Sequence, residues 1–263
     1  MPRLPRRLAP GESVTLVEHL TELRNRLMIG LGAVGVAFVG TYWQRHWIID
    51  RLRDPLPDGF ELVTLSPGEP FVTSFSVAFY AAVAIALPIL IWQIWAFLAP
   101  AFEEPSQAVV ARLVSASAVL LFAGMAFAYF VALPNILDFL LNFDKELYDT
   151  QIRAREYFAF TSLMLLGFGV MFELPIFILG LVRLGVLSST RLRRNRRIGY
   201  GLCLIGVVFL PGVDFVSMAL QSLPIVVLFE ASIWLSVWFE RRWAKAGLLW
   251  DRGWDDDLAS GEA

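Results

Sequence analysis

Cysteine, histidine and charge are all scarce in this chain, and each scarcity excludes something. A single cysteine, Cys203, lies inside an apolar run, so there is no disulfide framework. The only histidines, His19 and His46, flank the first apolar run on opposite sides, so no His/Cys cluster with metal-ligand spacing exists. The same separation prevents a Ser/His nucleophilic pair. No Walker or GxGxxG pattern occurs, and no pair of aspartates falls within an apolar run. Charged residues make up only 17% of the chain against 57% hydrophobic, with a mean hydropathy of +0.62, which fits no soluble protein of this size. Also missing is any inter-run segment long enough to fold as a soluble catalytic domain. No catalytic residue, metal, cofactor or nucleic-acid partner is expected.

What the chain does have is six apolar runs, at residues 27–43, 71–98, 113–137, 157–182, 198–213 and 215–239. A bilayer core of roughly 30 Å takes about 20 apolar helical residues per crossing. These runs lack the alternation of barrel strands, and an open sheet edge cannot exist in lipid, so each is read as a helix. The expected fold is an all-α membrane protein with six transmembrane helices. Residues 198–213 reach only about 24 Å at 1.5 Å per residue, so the fifth crossing is short and local bilayer thinning is expected.

Arginine and lysine set the expected orientation. With the N-terminus inside, sixteen of the 22 positive residues fall on the cytoplasmic side, including Arg24, Arg26, Arg112 and the run from Arg191 to Arg197. The other six, Arg45, Arg51, Arg53, Lys145, Arg153 and Arg155, fall outside. The positive-inside rule then predicts both termini in the cytoplasm. About 25 polar and charged residues precede the first run and no small-residue cleavage site follows it, so the first helix is expected to remain as an anchor.

Three parts are expected: a disordered basic tail at residues 1–13, a six-helix membrane domain at 14–240, and a cytoplasmic tail at 241–263. Within residues 14–26, Leu16, Leu20 and Leu23 continue to Leu27 as one stripe at helical spacing, which predicts an interfacial helix. The segment Asp54-Pro55-Leu56-Pro57-Asp58-Gly59 is turn chemistry, and Ser66-Pro67-Gly68-Glu69 reads as a helix start. Leu-Pro-Ile occurs at 87–89, 174–176 and 223–225, always in an even-numbered run. Internal proline removes a backbone hydrogen bond, so these three helices are expected to bend alike and shape a concave face.

Only two carboxylates lie inside the runs, Glu173 and Glu230. A mid-membrane ionisable residue is costly and points to function, although a packing hydrogen bond serves equally for Glu230. Glu18, Glu22, Glu103 and Glu104 stand on the otherwise positive cytoplasmic face, where carboxylates suit a cationic partner. Arginine binds a carboxylate through two prongs, which lysine cannot imitate. For Glu22 the local alternative is an i,i+4 pair with Arg26.

Several segments resemble one family in register. HLTELRNRL at residues 19–27 is similar to the N-terminal HLxELRxRL signature of TatC, the multispanning subunit of the twin-arginine protein translocase. SPGEPF at 66–71 resembles the start of that family's second helix, and WQIWAFLAP at 92–100 resembles its end. GMAFAYF at 124–130, FGVMFELP at 168–175, Asp214 and LFE at 228–230 continue the match, which covers about residues 14–240. The resemblance implies a cupped six-helix receptor, with short fifth and sixth helices, in a bacterial or archaeal cytoplasmic membrane. It implies binding of twin-arginine signal peptides of folded proteins, assembly with TatA- and TatB-type single-span subunits, contact with membrane lipid, and homo-oligomers in the receptor complex. Transport in the family draws on the proton-motive force.

By motif position, Glu22 and Arg24 belong to the signal-peptide site, with Glu103 and Glu104 as candidates for its second carboxylate. Glu173, Gln93, Pro55, Phe71, Pro88, Phe97, Asp214 and Glu230 are the expected concave-face polar and structural positions. The sequence departs from the family at three places. The family's loop glutamate aligns with Ser106, a basic residue early in the second helix is Ser76, and a polar threonine ending the fifth helix is Pro211. The rival reading is a proton-coupled small-solute transporter with Glu173 as relay. Such transporters usually show internal repeats and broken midplane helices, and no clear duplication is present.

Overall fold

In the computed structural model, residues 16–98, 107–147, 150–183, 186–212 and 214–245 are described. Side chains of residues 16–19, 98, 107–112 and 243–245 are not. Helix α1 (Leu16–Trp43) joins the amphipathic stretch and the first run without a break. A short helix α2 (Arg45–Arg53) follows on the far side of the bundle from the N-terminus. Helix α3 (Glu69–Leu98) returns, and its 30 residues span about 45 Å, more than the hydrocarbon core.

The third crossing is helix α4 (Gln107–Phe127), a π-helical turn at Ala128–Ala132, and helix α5 (Leu133–Asn142). Pro134 explains the local form. Its ring cannot donate an amide to the ladder, and a wider turn just before it accommodates the missing bond. The fourth crossing is split into α6 (Ala154–Met171) and α7 (Leu174–Arg183). A short helix α8 (Ser189–Arg194) leads to α9 (Arg196–Val208), and α10 (Phe215–Lys245) completes the bundle.

Five of these segments are long and apolar enough to cross a membrane. The fifth apolar run forms α9, whose 13 residues reach only about 20 Å, in line with the expected short fifth helix. The sixth run forms α10, whose 31 residues make it long rather than short as expected. Large side chains such as Trp43, Phe209 and Phe215 point outward, as a lipid-facing surface requires.

The three Leu-Pro-Ile tripeptides do not behave alike. Helices α3 and α10 run on through Pro88 and Pro224, whereas Pro175 follows an interruption at residues 172–173. There Phe172 N still donates to Phe168 O, but Glu173 N turns to Val170 O at 3.1 Å, a tighter turn that ends α6. Of the three, only the Pro175 site carries a break in its helix, at Glu173.

Small residues and inter-helix hydrogen bonds bring the helices together around a core of buried apolar side chains such as Phe168, Leu133 and Met164. A Cβ added at Gly124 would lie 2.6 Å from Phe168 O, so α4 and α6 meet closely only because that side chain is absent. Thr41 Oγ1 donates to Ala78 O at 2.7 Å, linking α1 to α3.

Strands β1 (Leu62–Val63) and β2 (Ile152–Arg153) form a two-residue parallel pair on the far side. Gly212, at φ 102, makes the left-handed turn between α9 and α10.

Candidate functional site

Titratable groups gather at both ends of the bundle, with Glu173 between them. On the N-terminal side, Glu22 and Arg26 stand one turn apart on α1, the spacing at which a carboxylate and a guanidinium meet. Arg26 Nη2 and Nε both donate to Glu22 Oε1, at 2.5 and 3.0 Å. The pair is not merely local. Arg26 Nη2 also donates to Ala96 O at 3.1 Å, and Nη1 donates to Gln93 Oε1 at 3.4 Å, so α1 is fastened to the last turns of α3. Gln93 is itself buried, and Glu22 remains about a quarter exposed.

Around this pair the α1 surface is open. Leu20 is 62% exposed and Leu27 60%, so the apolar stripe faces away from the bundle, and Arg24 is exposed beside it. Glu103, Glu104 and Ser106 lie outside the described residues, as do Glu18 and the N-terminal tail in their side chains.

Glu173 sits in the break between α6 and α7, half-buried. Its Oε1 has no hydrogen-bond partner among the described residues, nor has the hydroxyl of Ser117, fully buried on α4. Glu230 is fully engaged: Tyr200 Oη donates to Oε1, and Arg196 Nη2 lies 3.4 Å from Oε2. These partners come from α9, thirty or more residues away in sequence.

The far side is held by a different set. Glu69, with its side chain only 1% exposed, accepts from Arg153 Nε and from Leu65 N, both at 3.0 Å. Arg153 belongs to β2, so the ion pair ties the two outer loops together, and Glu69 raises the Arg153 pKa above its ordinary value. Tyr157 Oη donates to Leu52 O at 2.8 Å and Tyr129 Oη to Arg51 O at 2.7 Å, pinning α2. Asp214 Oδ1 accepts from Ser217 N at 2.7 Å at the start of α10. Burial raises the Asp214 pKa, but donors on Ser217 and the neighbouring backbone outweigh it and hold the group below its ordinary value.

The other positions singled out in the sequence are dispersed. Pro55 follows α2, Phe71 is exposed in the first turn of α3 and stacks near Phe75, Pro88 lies within α3, and Phe97 is half-buried at its end. A cavity of about 890 Å³ opens instead between α1, α2, α3, α4 and α6. It is lined by Trp47, Val77, Tyr80, Phe122 and Met125, with Thr41, Gln44 and Ser162 as its polar groups. Among the described residues neither Glu22 nor Glu173 lines it.

The local Glu22–Arg26 pair was readable from spacing. The docking of Arg26 on Ala96 and Gln93, the Arg153–Glu69 pair and the Arg196 and Tyr200 partners of Glu230 were not, because each joins segments far apart in sequence.

Residues 18–224 match the profile of the Sec-independent protein translocase protein TatC. The Helicobacter pylori protein of that name is 32% identical over 218 residues, covering 83% of this chain and 85% of its own. The Bacillus subtilis protein TatCd is 32% identical over 227 residues, covering 86% and 93%, and the Magnetococcus marinus TatC is 30% identical over 250, covering 94% and 92%. A crystal structure described as the twin arginine translocase receptor TatC superposes with a TM-score of 0.76 at 29% identity, covering 83% of this chain and 99% of that one. The chain belongs to the TatC family, non-enzymatic multi-span membrane components of the Sec-independent protein translocase.

Proposed function

We propose that this TatC-family chain is the receptor subunit of its translocase, reading adjacent arginines of a signal peptide through the Glu22 carboxylate. The observation that carries the reading is that Glu22, partly exposed on an open face of α1, holds a guanidinium by its two prongs. A carboxylate that accepts an arginine in this way suits a second arginine from a ligand. Glu103 and Glu104, which follow the end of α3 in sequence, supply further negative charge for the second arginine of the pair, and exposed Arg24 belongs to the same face. Recognition precedes assembly with TatA- and TatB-type subunits and with further copies of this chain, and the proton-motive force drives the later steps.

In this reading both termini face the cytoplasm. Cys203 is buried, which gives labelling a quiet background. Asp58→Cys and Asp144→Cys label from outside intact cells, and Arg194→Cys labels only after permeabilisation. Labelling of Arg194→Cys from outside would refute the orientation.

The binding test is photo-crosslinking in membranes. A photoreactive residue at exposed Leu20 or Leu23 captures a signal peptide bearing adjacent arginines and captures its Lys-Lys counterpart poorly. Equal capture of both peptides, or none of either, would overturn the receptor reading.

A further inference from the structure

The Glu22 carboxylate is not waiting empty. Arg26 reaches it with Nη2 and Nε, and both bonds fall on one oxygen, Oε1. Oε2 takes no hydrogen bond among the described residues, and Glu22 is the more exposed partner of the pair. Arg26 is the better anchored one, only 14% exposed and also donating to Ala96 O and Gln93 Oε1.

We propose that Arg26 is the resident occupant of the arginine-reading carboxylate, and that signal recognition is an exchange of one guanidinium for another. The proposal rests on the reading of Glu22 given above. An incoming arginine first meets Oε2 and then takes the fork at Oε1. Arg26 withdraws without being expelled into water, because its bonds to the α3 carbonyl and amide remain. Glu22 is never left bare during the exchange, so a partly buried carboxylate avoids the cost of standing unpaired. The resident pair therefore lowers affinity for every cationic ligand. A ligand able to rebuild the fork recovers most of what displacement costs, whereas a lysine, a point charge, recovers less.

One consequence runs against intuition: shortening Arg26 tightens binding. In the purified full-length chain, Arg26→Gln binds a peptide carrying adjacent arginines about tenfold more tightly than the parent, the value of one charge-assisted hydrogen bond. Binding of the Lys-Lys peptide tightens by a smaller factor.

Removing any positive charge from this face also favours a cationic ligand through simple Coulomb attraction, so Arg26→Lys is the decisive variant. It keeps the charge and loses the fork. Exchange predicts a measurable tightening with Arg26→Lys, and a pure charge effect predicts none. The same variant carries the test should Arg26→Gln fail to fold.

A double-mutant cycle isolates the exchange. In a Glu22→Gln background, Arg26→Lys leaves affinity unchanged, because nothing remains to be vacated. Unchanged or weaker binding by Arg26→Lys, with Glu22→Gln still weakening the parent, would overturn the exchange and leave the receptor reading standing. If Glu22→Gln itself leaves affinity untouched, the receptor reading of Glu22 fails, and the exchange fails with it.

Discussion

The two ends of this bundle are built from the same pairing chemistry at very different exposure. On the far side, Glu69 is almost completely covered, and its partner Arg153 arrives from a loop more than eighty residues away. Tyr129 and Tyr157 add hydroxyl bonds that fix α2 against the rest. On the N-terminal side, Glu22 and Arg26 form a still closer pair, but the carboxylate stays accessible and the surrounding leucines are uncovered. A charge pair that is fully enclosed holds loops in place, and removing one member strands the other. A pair with one accessible member can trade partners. In the proposed reading of Glu22, exposure of the acid rather than closeness of the pair is what separates a structural bridge from a binding site.

Breaking the enclosed pair should have the largest effect on the fold. Arg153→Met strands Glu69 and releases both outer loops, so the thermal unfolding midpoint of the purified chain drops sharply and little folded protein accumulates in the membrane. Arg153→Met together with Glu69→Gln is milder, because no uncompensated charge remains. In whatever fraction folds, affinity for a peptide with adjacent arginines stays at the parent value. Weakened binding at normal stability would erase the division between the two ends.

Glu173 sharpens the comparison from the middle of the bundle. If it is a polar contact of a receptor, Glu173→Gln keeps shape and hydrogen bonding and retains substantial protein export, while Glu173→Leu impairs export more. A proton relay needs a titrating group, so equal and severe loss in both variants, at matched membrane levels, would favour the transporter reading.

A smaller effect is expected at the start of α10. Asp214 accepts the Ser217 amide as a helix cap, and Asp214→Ala should cost about 1 kcal/mol of stability, typical for loss of a capping side chain. The folded pKa of Asp214 lies below its ordinary value, so this contribution is complete at neutral pH and is lost only as acid carries the pH through that lowered value. An Asp214→Ala deficit that vanished already near neutrality would contradict the capping role.

The crossings, their helical nature and the short fifth span were legible because lipid imposes length and apolarity on each segment separately. Glu173 could be picked out because a carboxylate is conspicuous where water is scarce, and Glu22 because it is acidic on a positive face and falls in the HLTELRNRL motif. Partners were legible only within one helix, as with Glu22 and Arg26. Sequence spacing carries no information on pairs closed by the bundle itself, so Arg153 for Glu69 and Arg196 for Glu230 emerged only from the fold. Proline marked the sites but not their outcome. All three Leu-Pro-Ile sites lose the same backbone bond, yet only the one beside Glu173 interrupts its helix.

The most direct test of the arginine-reading site is the affinity of the purified full-length chain for a signal peptide with adjacent arginines, compared with Glu22→Ala. A charge-assisted contact is worth about 1.5–3 kcal/mol, or roughly ten- to a hundredfold in affinity. Glu22→Ala should weaken binding within that range, while Glu18→Ala, a charge removed one turn earlier, should change it little. Full affinity in Glu22→Ala, persisting when Glu103 and Glu104 are also replaced by alanine, would mean that the arginines are read elsewhere on the molecule.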